Sequence, residues 1–273
     1  MPFFDDLIRK DRKLELDYEF ACTQSRETAI RVRETAARFL DGYVAFNRIS
    51  QDAAIASYTA TVKRYVKDIH AYVKTGKYPL QLEPNQPPLE RTDYDLFLIL
   101  TILTTHHRCA IMEELTRFPV AGPSLVIGVG SGIELNYIEP KPGTDVCEAF
   151  DLYINPYART TFPHWTFREE LYRPHGSLYQ CIYAIELLEH LPDPLAFMAD
   201  CHASLMPGGK VVTTIAVNVP QFDHTVNFPS EELFEAEVAA IGFKLDHKTV
   251  IPHAYPRMEI NARNCFYVYR KRA

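Results

Sequence analysis

The chain has 273 residues, 47% hydrophobic and 23% charged, enough for one large domain or a domain with an appendage, each with its own core. A formal net charge of −6 disfavours duplex nucleic acid or an anionic membrane as the main partner, and makes a small-molecule acceptor the expectation. Six cysteines (Cys22, Cys109, Cys147, Cys181, Cys201, Cys265) form no C-x-x-C pair and read as reduced core residues. The N-terminal "MPFFDDLIRKDRK" mixes charges of both signs, unlike a secretory signal, and no apolar run approaches ~18 residues. A cytoplasmic protein without a membrane partner is expected.

From Ser25 to about Val73 the pattern is helical, with Ile55, Tyr58, Val62, Tyr65, Ile69 and Tyr72 at alternating steps of three and four, a stripe that predicts burial against other helices. Ser50 can cap its start, and Gly76 with Pro79 can end it. The proline-rich "PLQLEPNQPPLE", Pro79 to Glu90, cannot continue a helix, so a boundary is placed there, between a helical cap (1–90) and a core (91–273). Asp93 to Arg117 reads as one further, largely buried helix. The cap is rich in aromatic residues (Tyr18, Phe20, Phe39, Tyr43, Phe46, Tyr58), which suit the walls of an apolar or aromatic acceptor pocket. They suit a helical core or a homodimer interface equally well.

Beyond Ser124 short β-rich runs alternate with helical ones, predicting strands near 124–129, 145–150, 165–168, 180–186, 210–217, 244–250 and 264–270. The last two have no helix between them and can pair antiparallel at the sheet edge. The expected fold is α/β: a seven-stranded, mostly parallel, Rossmann-like sheet with an antiparallel last strand and an N-terminal helical cap.

The first strand runs into "VIGVGSGIELNYIEP", a glycine turn leading into a helix. Such a turn can cradle the pyrophosphate of a dinucleotide or the amino-acid and ribose parts of S-adenosylmethionine. Gly128, Gly130 and Gly132 are spaced G-x-G-x-G, with Ile133 where a dinucleotide fingerprint carries its third glycine. Glu134, in the first helical turn, would repel two phosphates but suits a sulfonium and an ammonium, although it serves a helix N-terminus as well. Asp151, at the end of the second strand, can accept hydrogen bonds from both ribose hydroxyls of either cofactor class.

Four segments, "VIGVGSG", "EHLPDP", "LMPGG" and "DHTVNFPSEEL…AAIGF", occur in an order and spacing that resembles the class I S-adenosylmethionine-dependent methyltransferases, over about three fifths of the chain from residue 107 on. The resemblance implies S-adenosylmethionine as cofactor and methyl transfer to an O, N or C atom of a small molecule. A same-fold enzyme moving another group, such as aminopropyl, or a non-catalytic binding protein are the alternatives. By position, Gly128, Gly130 and Gly132 would pack against the methionine and ribose portions and Asp151 would hold the ribose. Glu169 or Glu170 would lie near the adenine amino group, with Glu186 and His190 at the mouth. The sequence departs from the pattern at Val126, where such enzymes carry an acidic residue, and at Gln180, near their Phe-Asp pair. The cofactor's amino group then needs another partner, Glu134 or a lid residue.

His190 and His224 are expected near the carboxyl ends of the strands and are the candidates for a general base. The Glu-His-Leu turn gives His190 a structural reading too, and the adjacent His106 and His107 read as packing. No H-x-x-x-H spacing is present among the ten histidines, so no metal site is expected.

Overall fold

The computed structural model describes residues 2–77, 91–138, 147–176, 178–254 and 261–272. The connector Pro79–Glu90, with the cap boundary placed in it, and the start of the second predicted strand lie outside them.

Four helices open the chain: α1 (Pro2–Lys10), α2 (Arg12–Thr23), α3 (Ala29–Asn47) and α4 (Gln51–Thr75). The first two precede the helical region read from the sequence. The limits of α4 follow its expected signals. The Ser50 hydroxyl accepts from Ala53 N at 3.2 Å, and Gly76, at φ 65°, closes the helix in the left-handed conformation that glycine adopts at little cost. In the α4 stripe Tyr58 and Ile69 are buried while Ile55, Val62 and Tyr65 are only partly covered, and Tyr58, Val62, Tyr65 and Ile69 border a cavity.

The single helix predicted from Asp93 to Arg117 is two: α5 (Arg91–Thr104) and α6 (His106–Leu115), broken at Thr105, which is extended at φ −129°, ψ 138°. The hydroxyls of Thr101, Thr104 and Thr105 donate to the carbonyls of Leu98, Leu100 and Thr101, the side-chain back-bonding that weakens and bends helices. The break aims His106, His107 and Arg108 at the cavity.

All seven predicted strands are present: β1 (Ser124–Ile127), β2 (Cys147–Asp151), β3 (Thr166–Glu169), β4 (Tyr179–Ala184), β5 (Leu205–Val217), β6 (Phe243–Pro252) and β7 (Arg263–Lys271). They form one sheet in the order β3-β2-β1-β4-β5-β7-β6. β7 runs antiparallel to both neighbours, so it lies between β5 and β6 and β6 takes the edge. β5 begins five residues before its expected start, and a register shift against β4 absorbs the Pro207-Gly208-Gly209 segment. After the glycine turn the expected helix is only a 3₁₀ turn, Ile133–Tyr137.

Strand side chains alternate between two cores. Val126, Ala149, Tyr183, Val212, Phe266 and Val268 face the core they share with α1 to α6. Leu125, Ile182, Val211, Ile215, Tyr267 and Tyr269 face α8 (Pro194–Ser204) and α9 (Glu231–Ile241). The N-terminal helices therefore share one continuous core with a face of the sheet. Because β1 has β2 on one side and β4 on the other, the chain reverses its direction of winding there, and the crevice at the carboxyl ends of these strands is where ligands bind in open α/β sheets.

Candidate active site

A cavity of about 960 Å³ lies between that crevice and the helices. On the sheet side the glycine turn and Asp151 form one unit. Gly130 N donates to Asp151 Oδ2 at 2.8 Å and Tyr153 N to Oδ1 at 3.1 Å, leaving the remaining lone pairs of the carboxylate for hydroxyl donors.

The three glycines all have φ between 56° and 84°, yet they serve different ends. A Cβ at Gly132 would sit 2.6 Å from Ala158 Cβ of α7 (Pro156–Thr161), and one at Gly128 would sit 3.0 Å from Leu187. At Gly130 it would meet only Leu98, at 3.5 Å. Gly128 and Gly130 line the cavity and Gly132 does not. Gly130 thus leaves the open approach, and Gly132 is required by packing.

Beside the turn, the buried Arg108 is held between two carboxylates, with Nη2 3.1 Å from Glu134 Oε1 and Nη1 3.4 Å from Glu186 Oε2. Burial raises the Glu134 carboxyl and Arg108 opposes the rise. Glu134 Oε2 and Arg108 Nε are both buried without a hydrogen-bond partner, an arrangement that costs stability and fits a zwitterion, with the carboxylate going to Arg108 and the ammonium to Glu134. Glu186 is one of the few non-glycine residues at positive φ, 51°, strain of the kind that persists where surrounding contacts fix it. Its Oε1 accepts from Thr214 Oγ1 and Asn264 Nδ2, each at 2.8 Å.

Further along the wall, His190 Nδ1 lies 2.8 Å from the Asp223 carbonyl, and its ring meets that of His224 edge-on at 5.1 Å. The loop of Glu189 and the loop of His224 are tied together: the Glu189 carbonyl accepts from Thr225 N at 2.8 Å, Val226 N at 3.2 Å and Thr225 Oγ1 at 3.2 Å. Burial holds His224 down to about 3. In His190 burial also lowers the pKa, but Asp223, Glu189 and Glu186 oppose it and the net shift is upward. Burial, then the nearby Glu186, push Glu189 up to about 8. His107 and His253 stack at 3.8 Å on another stretch of the wall, and burial lowers both, His253 to about 4.

The helices close the cavity with Phe20, Tyr58, Val62, Tyr65, Ile69, Tyr94 and Phe97. The Tyr65 and Tyr94 hydroxyls donate to Asp223 Oδ2 at 3.1 and 3.2 Å, pinning α4 and α5 to the loop after β5. Of the six cap aromatics singled out in the sequence, Phe20 and Tyr58 reach the cavity. Phe39, Tyr43 and Phe46 pack instead on Tyr157.

The structure therefore brings Gly128, Gly130, Glu134, Asp151, Glu186, His190 and His224 onto one cavity. Glu169 and Glu170 are exposed and do not line it, and the Glu169 carboxylate pairs with Arg159 at 3.1 Å. Sequence reasoning missed Arg108, Glu189, Asp223 and Tyr94. Arg108 had a local signal, an arginine inside a largely buried helix, and Glu189 and Asp223 stood beside His190 and His224 in the two quoted segments.

The family model described as "Methyltransferase domain" matches residues 103–248, more than half of the 273 residues. The chain belongs to the class I S-adenosylmethionine-dependent methyltransferases. No curated protein sequence matches it. Among solved structures it is similar to the N-methyltransferase NodS from Bradyrhizobium japonicum WM9 in complex with S-adenosyl-L-homocysteine, at 14% identity and TM-score 0.50, covering 62% of this chain and 90% of that one. It is also similar to an O-methyltransferase family protein from Burkholderia thailandensis, at 10% identity and TM-score 0.54, covering 81% and 72%. The pyocyanin biosynthetic protein PhzM aligns at 12% identity and TM-score 0.53, covering 80% and 72%. At these identities the likeness is one of fold. Among the described residues no helix is long and apolar enough to cross a membrane.

Proposed function

We propose that this methyltransferase transfers the methyl group of S-adenosylmethionine to a small, largely apolar acceptor enclosed between the sheet and helices α2, α4 and α5. The observation that carries the reading is one cavity that has Gly130, Asp151 and Arg108 on one wall and Tyr58, Tyr65 and Phe97 on the other. Its size and composition suit a small-molecule site.

When bound, S-adenosylmethionine supplies a methyl group already activated by a sulfonium, so the protein's contribution is mainly position. Asp151, held still by its bonds to Gly130 N and Tyr153 N, would accept the ribose hydroxyls. Arg108 would take the cofactor carboxylate and Glu134 the ammonium. Glu134 thereby replaces the acidic residue whose usual place is held by the buried Val126. Thr214 and Asn264 fix Glu186, which keeps Arg108 aimed. His190 and His224 stand at the acceptor end of the cavity. The helices exclude water from the reacting pair.

The test is incubation of the protein and methyl-labelled S-adenosylmethionine with a small-molecule extract, followed by mass spectrometry. A labelled product together with S-adenosylhomocysteine is expected. Methylthioadenosine in its place would show transfer of the aminopropyl group.

A further inference from the structure

We propose that Glu189, His190 and His224 bind a first-row divalent metal cation whose open coordination positions take a hydroxyl oxygen of the acceptor; the second half of this statement rests on the function proposed above. Each of the three offers one ligand atom, and these atoms lie within 4.8 Å of one another. A cation held at about 2.0–2.2 Å by nitrogen and carboxylate oxygen spans up to twice that distance, so small side-chain rotations bring all three onto one ion. The sequence conceals the group because His224 lies on a different loop, 34 positions after His190.

Three features separate this cluster from ordinary packing. Glu189 is 1% exposed, yet its Oε2 has no hydrogen-bond partner, although buried polar groups are nearly always satisfied. Each histidine has a backbone hydrogen-bond partner. His190 Nδ1 is bonded to the Asp223 carbonyl at 2.8 Å, and His224 is bonded to the backbone of Val219. A neutral imidazole that donates through one nitrogen carries its lone pair on the other, and a backbone carbonyl behind the ring is the usual support of a metal-ligating histidine. Finally, the three bonds from Thr225 and Val226 to the Glu189 carbonyl fix the two loops against each other, which is the preorganisation a three-ligand site requires.

The ligand set selects the ion. Two imidazoles and one carboxylate suit Mn²⁺, Co²⁺ or Zn²⁺ better than Ca²⁺, which prefers an all-oxygen shell. Three protein ligands leave positions open, as in catalytic sites and unlike closed structural ones. All three residues line the cavity, so those positions face the space assigned to the acceptor, where a cation would orient and polarise a hydroxyl oxygen.

Full-length protein without a polyhistidine tag, stripped with a chelator, is titrated with Co²⁺ and followed by visible d–d absorption. One Co²⁺ per chain is expected, and Glu189→Gln and His224→Asn should each weaken binding at least tenfold, the lower end of what loss of even an outer-shell partner costs. S-adenosylhomocysteine affinity, measured on the same samples, should stay within threefold and so report that the variants fold. His190→Gln serves as the third variant if either fails to fold. Absence of a saturable Co²⁺ signal, or equal binding by wild type and variants, would overturn the site. Mn²⁺ in place of Co²⁺ should raise the solvent-proton relaxation rate severalfold over free Mn²⁺ through exchangeable water at the open positions. Bound Mn²⁺ without that enhancement would overturn the acceptor half. Loss of S-adenosylhomocysteine binding by the wild type would instead count against the proposed function and leave the metal titration readable.

Discussion

Arg108 and Glu134 meet at 3.1 Å across the junction between α6 and the turn that follows the glycines. The pair joins the helix beneath the N-terminal layer to the sheet's ligand-binding edge, and each partner keeps one buried polar atom without a hydrogen bond. Glu134→Gln preserves shape while removing the charge that an ammonium needs. S-adenosylhomocysteine affinity measured by calorimetry should fall at least about tenfold, since hydrogen bonds to charged groups are worth roughly 1.5–3 kcal/mol. Unchanged affinity would place the amino group elsewhere.

The glycines separate packing from binding. Gly132→Ala should lower Tm more than Gly130→Ala, because its Cβ would lie 2.6 Å from Ala158 Cβ whereas that of Gly130 would meet only Leu98 at 3.5 Å. Gly130→Ala should cost more S-adenosylhomocysteine affinity, since its Cβ would enter the cavity. Both substitutions carry the strain of positive φ, so the comparison cancels it. The reverse ordering in either measurement would refute the division of roles.

Tyr65 tests the acceptor wall. It stacks on Phe97 and Phe222 at 5.2 and 5.0 Å and bonds Asp223. Tyr65→Ala should raise the acceptor KM at least tenfold and leave S-adenosylhomocysteine affinity within threefold. A change confined to cofactor affinity would make α4 a cofactor lid.

Asp95 sets a pH dependence of stability. It is fully buried, accepts from Asn155 Nδ2 at 2.9 Å and lies 3.1 Å from Arg91 Nε. Burial raises its pKa from 3.8 to about 6, against the opposing pull of Arg91. A folded-state pKa above the unfolded one means that the folded protein binds the proton more tightly. The stabilisation is then full below about pH 4 and lost as pH rises through 6. The unfolding free energy of wild type minus that of Asp95→Asn should therefore fall by roughly 2 kcal/mol between pH 4 and 7, at 1.36 kcal/mol per unit. A difference that rises over this range would mean that Arg91 dominates.

Much of this architecture was written locally. Strand positions follow runs of β-branched and aromatic residues, and Ser50 and Gly76 mark α4 because capping is a property of single residues. Gly130, Asp151, His190 and His224 were legible because glycine turns and strand ends bear ligand sites in this sheet type. What escaped depends on tertiary placement. The break at Thr105 arises from hydroxyls competing for carbonyls within a strongly apolar helix, and periodicity does not register that competition. Arg108 and Asp223 acquire their roles only when α6 and the loop after β5 meet over the sheet. Tyr43 and Phe46 carry the same aromatic signal as Tyr58, yet they pack on Tyr157, since composition does not tell that α4 and not α3 lines the cavity.

The central claim is that Gly130, Asp151 and Arg108 hold the cofactor with its reactive end toward His190 and His224. A crystal structure of the protein with S-adenosylhomocysteine tests it most directly. The account predicts ribose hydroxyls on Asp151, the amino-acid end between Arg108 and Glu134, and the sulfur facing the two histidines across the cavity. Ligand bound outside that cavity, or with its amino-acid end away from Arg108, would contradict it.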